Sequence, residues 1–293
     1  MNLGLGSVQF GLDYGIANAT GRTPAPEVAA ILALAAERGV KVLDTAPSYG
    51  DSEAVVGRAL PADQDFRIIS KTRYFRLAKI GREEVATLDS DFRASLERLG
   101  VERLYGLLLH HCDDLLAPGG ERLWAAMAAL KDRGLVAKIG VSVYTKRQIE
   151  AVLERFTIDL VQLPLNVLDQ RLSREFLDSI KRAGIEIHAR STFLQGLLLM
   201  PLPEIPDYFA PIRPLMRDYR DAIAACGMTA LQAALAYVRR QSAIDHVIVG
   251  VTRRAELTEI LAAFEIPVLA DFDFSPFAVD DERMVDPSRW QAT

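Results

Sequence analysis

Short apolar runs alternate with amphipathic segments from one end of the chain to the other. From Glu27 onward, Val28, Ile31, Leu32 and Ala35 recur at steps of three, one and three, which lines one face of a helix, and Pro26 just ahead suits its first turn. After Gly39 the run Val40–Leu43 is too brief for a helix and stops at the polar stretch Asp44–Asp51, so it reads as a buried strand feeding a loop. The unit then recurs: Phe66–Ser70 predicts a strand, Val85, Leu88, Phe92, Leu96 and Leu99 a long helix, Leu104–Leu109 a strand, and Leu123, Met127 and Leu130 a helix. Val136–Val141, Asp159–Leu163, Ile185–Ala189 and His246–Val249 continue the strands, interleaved with predicted helices over Arg147–Phe156, Arg174–Ala183, Leu231–Arg240 and Glu256–Phe264. With Leu3–Gly6 at the front, eight strands are predicted.

Near-continuous apolar strands separated by amphipathic helices predict a parallel sheet covered by helices, because only crossover connections join parallel neighbours. Eight such units predict an α/β fold, a (β/α)8 TIM barrel. The competing doubly wound sheet calls for a G-x-G-x-x-G turn after the first strand. The chain has Leu3-Gly4-Leu5-Gly6-Ser7-Val8-Gln9-Phe10-Gly11 there, a weak match followed by a long loop. No repeat or low-complexity linker divides the chain, so a single domain over residues 1–293 is expected, with 265–293 a tail packing on the barrel. Pro201–Pro214, with five prolines and two aromatics, is expected to form a long functional or mobile loop.

Composition narrows the function. A chain of 293 residues that is half apolar can bury a large core, and a net charge of −5 with well-mixed signs offers no basic face for nucleic acid. Apolar runs fall far short of the roughly 20 residues of a membrane span, and the N-terminus lacks a basic segment followed by an apolar one. Cys112 and Cys226 have no metal-ligand spacing, so free thiols, no metal and a reducing, cytoplasmic setting are expected.

Barrel enzymes build their sites at the C-terminal ends of the strands, so the residue that stops each apolar run is informative. Those residues are Asp44, Lys71, His110, Ser142, Gln162 and Arg190-Ser191. Each alone has a structural explanation, as a helix cap or a solvated charge. Together they would meet at one mouth, which is the arrangement of a catalytic centre.

The segment Asp44-Thr45-Ala46-Pro47-Ser48-Tyr49-Gly50-Asp51-Ser52-Glu53 resembles the D-T-A-x-x-Y-G-x-S-E signature of the aldo-keto reductases. Ile69-Ser70-Lys71, Leu107-Leu108-Leu109-His110, Ile139-Gly140-Val141-Ser142, Val161-Gln162 and Gly196-Leu197-Leu198 support the likeness over nearly the whole chain. The resemblance implies an oxidoreductase that reduces an aldehyde or ketone to the alcohol with NAD(P)H, adding hydride to carbon and a proton to the developing alkoxide. It assigns Tyr49 as proton donor. Lys71 is expected to lower the phenol from its ordinary pKa of about 10, Asp44 to hold Lys71, and His110 to orient the carbonyl. His110 and His111 point to opposite sides of a strand, and the count from Leu99-Gly100 favours His110 for the mouth, with His111 the alternative because a slip of one residue exchanges them. Cys112 is read as incidental.

The implied cofactor site is less regular. The resemblance points to Gly6, Ser7, Asp44, Ser142, Gln162, Arg190, Ser191, Gly250, Thr252, Arg253 and Arg254. Val143 stands where the family commonly has Asn, and Arg190 where a Tyr or Trp stacks on the nicotinamide. A guanidinium can stack there and, by repelling the oxidised ring, favour reduction; it can equally bind an anionic substrate or pair with Asp44. Arg253 and Arg254 suit the 2′-phosphate of NADPH, the expected cofactor, while the family's downstream Arg and Asn fall on Glu256 and Ile260, which keeps NADH as an alternative. The expected partner is a small carbonyl, sugar-like if the short loop Cys112–Glu121 leaves the pocket open, and the expected state a monomer or small homo-oligomer. Phe272, Phe274, Phe277 and Trp290 are expected to pack over the barrel. Two other functions fit the fold: a nicotinamide-binding regulatory subunit, and a Schiff-base barrel enzyme using Lys71, against which Asp44 argues by raising the lysine pKa.

Overall fold

The computed structural model describes residues 1–61, 65–267 and 271–290, and its eight parallel strands close into a barrel in chain order. They are β1 (Asn2–Gly6), β2 (Val42–Asp44), β3 (Arg67–Lys71), β4 (Leu104–Leu109), β5 (Val136–Ser142), β6 (Leu160–Pro164), β7 (Glu186–Arg190) and β8 (His246–Gly250). Each lies within two residues of its predicted position. The largest difference is at β2, where Val40 stays outside the ladder because its N–H closes the preceding helix on the Ala35 carbonyl, past Gly39 at φ +73°.

The strands are apolar throughout because both faces are covered. Val42, Ile69, Leu108, Leu160 and Ile248 fill the barrel interior as one cluster, while the alternate residues, such as Ile68, Leu107 and Leu109, join the larger core beneath the helices. Toward the N-terminal ends of the strands the filling turns polar. There Glu186 accepts from the Tyr105 hydroxyl at 2.7 Å, pairs with Lys138, and lies 2.6 Å from Nε2 of His188, whose ring meets that of His246 at 4.8 Å. Since β4 and β7 are not neighbours, the Tyr105–Glu186 contact crosses the barrel and closes its floor.

The stretch Pro201–Pro214 is not the long loop expected. Its prolines start turns instead of breaking structure: Pro201 and Pro206 precede the 3-10 turns Leu202–Glu204 and Asp207–Ile212, and Pro214 sits in the first turn of a helix, Arg213–Ala225, that the sequence reading missed. Arg220 from this helix donates to the carbonyls of Leu198 and Met200 at 2.7 and 2.8 Å, tying the segment down.

Beyond the helix Arg254–Glu265, the described part of the tail packs on the barrel through Phe277 on Tyr219 (5.2 Å), Trp290 on Phe209 (4.9 Å) and the Val279 N–H on the Leu168 carbonyl (2.8 Å). Phe272 and Phe274 pack beside Phe277. Residues 268–270 and 291–293 of the expected tail lie outside the described residues. Among the described residues no single helix is long and apolar enough to cross a membrane.

Candidate active site

Parallel strands present all their C-terminal ends at one mouth, and a cavity of about 680 Å³ opens there. Asp44 ends β2 and Lys71 ends β3. Lys71 Nζ donates to both Asp44 oxygens at 2.8 and 2.7 Å and to the Thr45 carbonyl at 3.0 Å, and Gln162 Nε2 from β6 donates to Asp44 at 2.7 Å. All three side chains are buried. With its three protons committed and its place off the cavity wall, Lys71 is not presented as a Schiff-base nucleophile. Burial outweighs Asp44 and holds the Lys71 ammonium below its ordinary pKa, the reverse of the expected direction.

The turn after β2 sets Tyr49. Its N–H bonds the Ala46 carbonyl at 3.0 Å, Gly50 follows at φ +61°, and Gly11 packs so closely that a Cβ there would lie 1.9 Å from the Tyr49 carbonyl oxygen. The end of the signature is structural. Ser52 Oγ donates to the Ser7 carbonyl at 2.8 Å, and buried Glu53 accepts from Ser70 at 2.6 Å and from Arg98 at 2.6 and 2.8 Å.

The Tyr49 ring lies 4.9 Å from Lys71 Nζ and edge-on to His110 at 5.7 Å. Burial, reinforced by Asp44 and opposed by Arg190, pushes the phenol well above its ordinary value of 10.0. The expectation that Lys71 lowers it is therefore corrected: the lysine charge is already matched by Asp44, so the phenol keeps its proton.

His110, not His111, faces the cavity. Its Nε2 is 2.8 Å from the Tyr74 hydroxyl, its Nδ1 is 3.2 Å from Ser48 Oγ, and its ring stacks on Tyr74 at 4.2 Å. Burial first, then the charges of Lys71 and Arg190, holds it well below 6.5, so the imidazole is neutral. His111 turns away to Asp114 at 3.1 Å. Cys112 is buried, with its thiol pushed up to about 12, and is not a nucleophile.

Gly6, Ser7, Ser142, Gln162, Arg190, Ser191, Gly250 and Thr252 all line the cavity, together with Asp44. Arg253 and Arg254 do not. Arg253 pairs with Glu256 at 3.1 Å, the Arg254 N–H is taken by Glu27 at 2.5 Å, and Glu256 also accepts the Thr252 N–H at 2.7 Å. Arg190 does not pair with Asp44 either: its guanidinium lies 4.2 Å over the Tyr144 ring and donates to the Val143 carbonyl at 3.0 Å and Ser191 Oγ at 3.3 Å.

The wall fits a nicotinamide. Gln9 and Thr192 both line it, and Gln9 Oε1 and Thr192 Oγ1 are buried without a hydrogen-bond partner, while Gly250 leaves bare backbone where a Cβ would crowd the Gln9 amide at 2.6 Å.

The sequence reading missed Tyr14, Tyr74, Arg76, Tyr144 and Glu256 as wall residues. Tyr144, two past Ser142, shared its strand parity and was within reach of that argument. The segment Cys112–Glu121, expected to shape the pocket, contributes nothing to the wall; Cys112–Leu116 forms a helix that packs against the helices Glu121–Asp132 and Lys146–Leu153 instead.

The sequence model described as "Aldo/keto reductase family" matches residues 2–277. The NADH-specific methylglyoxal reductase of Escherichia coli (strain K12) is 24% identical over 267 residues, which cover 80% of this chain and 81% of that one. The D-threo-aldose 1-dehydrogenase of a Pseudomonas species is 26% identical over 306 residues, covering 87% and 90%. Among solved structures, the holo form of an aldo-keto reductase from Bacillus halodurans superposes with a TM-score of 0.74 at 20% identity, over 94% of this chain and 90% of that one.

Proposed function

This chain belongs to the aldo/keto reductase family and is an NAD(P)H-dependent oxidoreductase, and from that premise we propose that it reduces a small polar aldehyde or ketone to the alcohol with Tyr49 as proton donor. The observation that carries the reading is the convergence of Asp44, Tyr49 and His110 on one cavity wall with Lys71 bonded behind Asp44, all from the ends of β2, β3 and β4 and the turn between.

Bound NAD(P)H supplies the hydride. The chain's own groups hold the carbonyl and manage the proton. Tyr49, protonated throughout the physiological range, donates its hydroxyl proton to the oxygen of the substrate as negative charge develops there. Neutral His110 directs that oxygen, with its own ring fixed by Ser48 and Tyr74. The Asp44–Lys71 pair lies beneath the Tyr49 ring as a matched pair, and Arg190, the cation that opposes the upward shift of the phenol, is the one that favours the phenolate left after transfer. Ser142, Gln162, Gln9 and Thr192 present the polar groups for the nicotinamide amide, and Arg190 places its charge at that end, disfavouring the oxidised ring.

The cofactor we assign is NADH rather than the NADPH expected from Arg253 and Arg254. The phosphate-binding start of the helix Arg254–Glu265 is already filled by carboxylates, with Glu256 on Thr252 and Arg253 and Glu27 on the Arg254 N–H. A carboxylate there repels a 2′-phosphate and accepts from a ribose hydroxyl. The methylglyoxal reductase relative is named as NADH-specific.

The direct test is Tyr49→Phe. Turnover of methylglyoxal and glyceraldehyde should fall by roughly 10²–10⁴-fold, the usual contribution of a general acid, while NADH binding by fluorescence titration is retained. Near-normal turnover in that variant would remove Tyr49 from the mechanism.

A further inference from the structure

Two cations on the cavity wall have no carboxylate partner among the described residues: Arg190 at the end of β7 and Arg76 on the loop after β3. Other cations near them are paired. Lys71 is matched by Asp44, and Arg73, on the same loop as Arg76, is matched by Asp91 at 2.5 Å.

Arg190 is half-buried and spends its hydrogen bonds on a carbonyl and a hydroxyl; the carboxylate whose charge reaches it, Asp286, makes no ion pair with it and lies against Arg289 at 3.5 Å. A guanidinium in that position is costly unless an anion answers it. Arg76 is held ready at the rim. Its backbone is forced to φ +53° and kept there by Asp114, which accepts the N–H groups of Phe75 and Arg76 at 2.9 and 2.7 Å, and its guanidinium lies 4.8 Å over the Tyr74 ring beside His110. Strain of this kind persists where the surroundings over-determine it, which is common at ligand clamps.

The carboxylates on the wall do not answer either charge. Asp44 is committed to Lys71 and Gln162; Glu204, Glu256 and Glu259 come from segments after β7 and β8, with Glu256 bonded to Thr252 and Arg253. The half of the cavity around Tyr49 and His110 thus carries a net positive charge, between Arg190 on one side of the barrel and Arg76 on the other.

Resting on the reductase reading above, we infer that the substrate of this chain is a small aldehyde or ketone that carries an oxyanion, a carboxylate or a phosphate, with Arg76 binding the anion and Arg190 adding a second positive charge. The guanidinium fork matches either group, and the compounds for which the two relatives are named, methylglyoxal and aldose, carry no such charge.

The test compares pairs matched in size and differing in charge: succinic semialdehyde against butanal for the carboxylate, glyceraldehyde 3-phosphate against glyceraldehyde for the phosphate, each with NADH. The charged member of one pair should have the higher kcat/KM by about tenfold or more, the worth of one hydrogen-bonded charge, and the pair in which this happens identifies the anion. Arg76→Gln and Arg190→Gln should each lower that charged-to-neutral ratio severalfold through KM, Arg76→Lys should restore part of it, and added salt should erode it. Succinate and inorganic phosphate give a readout free of turnover: one of them should bind the wild type, measured by calorimetry, and bind Arg76→Gln about tenfold more weakly.

Equal kcat/KM within both pairs, or a preference that survives both substitutions, overturns the inference while leaving the reductase reading intact. Absence of turnover with every aldehyde, together with anion binding that depends on Arg76, overturns the reductase reading and keeps the anion site. Absence of both overturns both.

Discussion

At the level of single residues, the site is governed by what burial does to three ionisable groups. The proposed mechanism needs Tyr49 protonated and His110 neutral. The His110 imidazole lies well below 6.5 and the Tyr49 phenol well above 10.0, so each is in its working form across the neutral range. The expected kcat/KM for reduction is therefore flat through neutral pH, measured as a pH–rate profile at saturating NADH. A limb with its midpoint near neutrality would contradict these environments. Burial holds the ammonium of Lys71 below 10.5, and loss of its charge on the alkaline side leaves Asp44 unmatched beside Tyr49. Asp44 and Tyr49 were legible in the sequence because they share one contiguous signature. The Tyr74 hydroxyl on His110 was not, since those residues are 36 positions apart and no periodicity links them.

Among the elements, the strands were the most readable and the connections the least. A strand buried on both faces leaves an apolar run bounded by polar residues, and all eight runs became strands. The helix Arg213–Ala225 carried a usable stripe in Met216, Tyr219 and Ile223, but the prolines ahead of it drew the reading toward a loop. Helix Arg254–Glu265 shows how an element end decides chemistry. Its first turn was expected to bind phosphate through two arginines, yet Glu256 folds back onto Thr252 and Arg253 and takes that place. The wild type should bind NADH more tightly than NADPH at equal ionic strength. Glu256→Arg should move the NADPH-to-NADH affinity ratio toward NADPH by about tenfold or more, since each 1.4 kcal/mol is a factor of ten. Tighter NADPH binding by the wild type, read by fluorescence titration, would reverse the cofactor assignment.

Across the whole molecule the barrel separates two polar ends with different tasks. The C-terminal mouth carries the candidate chemistry, and the floor of Tyr105, Lys138, Glu186, His188 and His246 holds the strands together from within. His246 is pushed down to about 4 by burial and then by His188, with Glu186, Asp245 and, more weakly, Arg67 as the other charges it faces. Its folded value is below the unfolded value of 6.5, so the unfolded chain takes up the proton first on acidification. The contribution of this group is complete above the unfolded value and is lost as pH falls from there toward 4; it amounts to at most about 3 kcal/mol. Glu186, held far below its usual range by His188, Lys138 and Tyr105 despite its burial, adds a second loss below about pH 4.3. The expected outcome is a melting temperature that falls steadily from pH 7 to about pH 4.5, and more shallowly in His246→Gln. An unchanged slope in that variant would assign the acid sensitivity elsewhere.

The sequence by itself determined the barrel, the mouth at which the site is built and the family signature, because strand and helix periodicities and a contiguous motif are local properties that one chain displays in order. Only the tertiary structure decided which polar groups are spent and on what: the Lys71 ammonium on Asp44 across 27 positions, the Arg190 guanidinium over Tyr144 and on the Val143 carbonyl, 47 positions away, and the Arg254 backbone N–H on Glu27 across 227. It also decided the protonation of Tyr49 and His110. Desolvation depends on what surrounds a group in three dimensions, and no spacing along the chain records it.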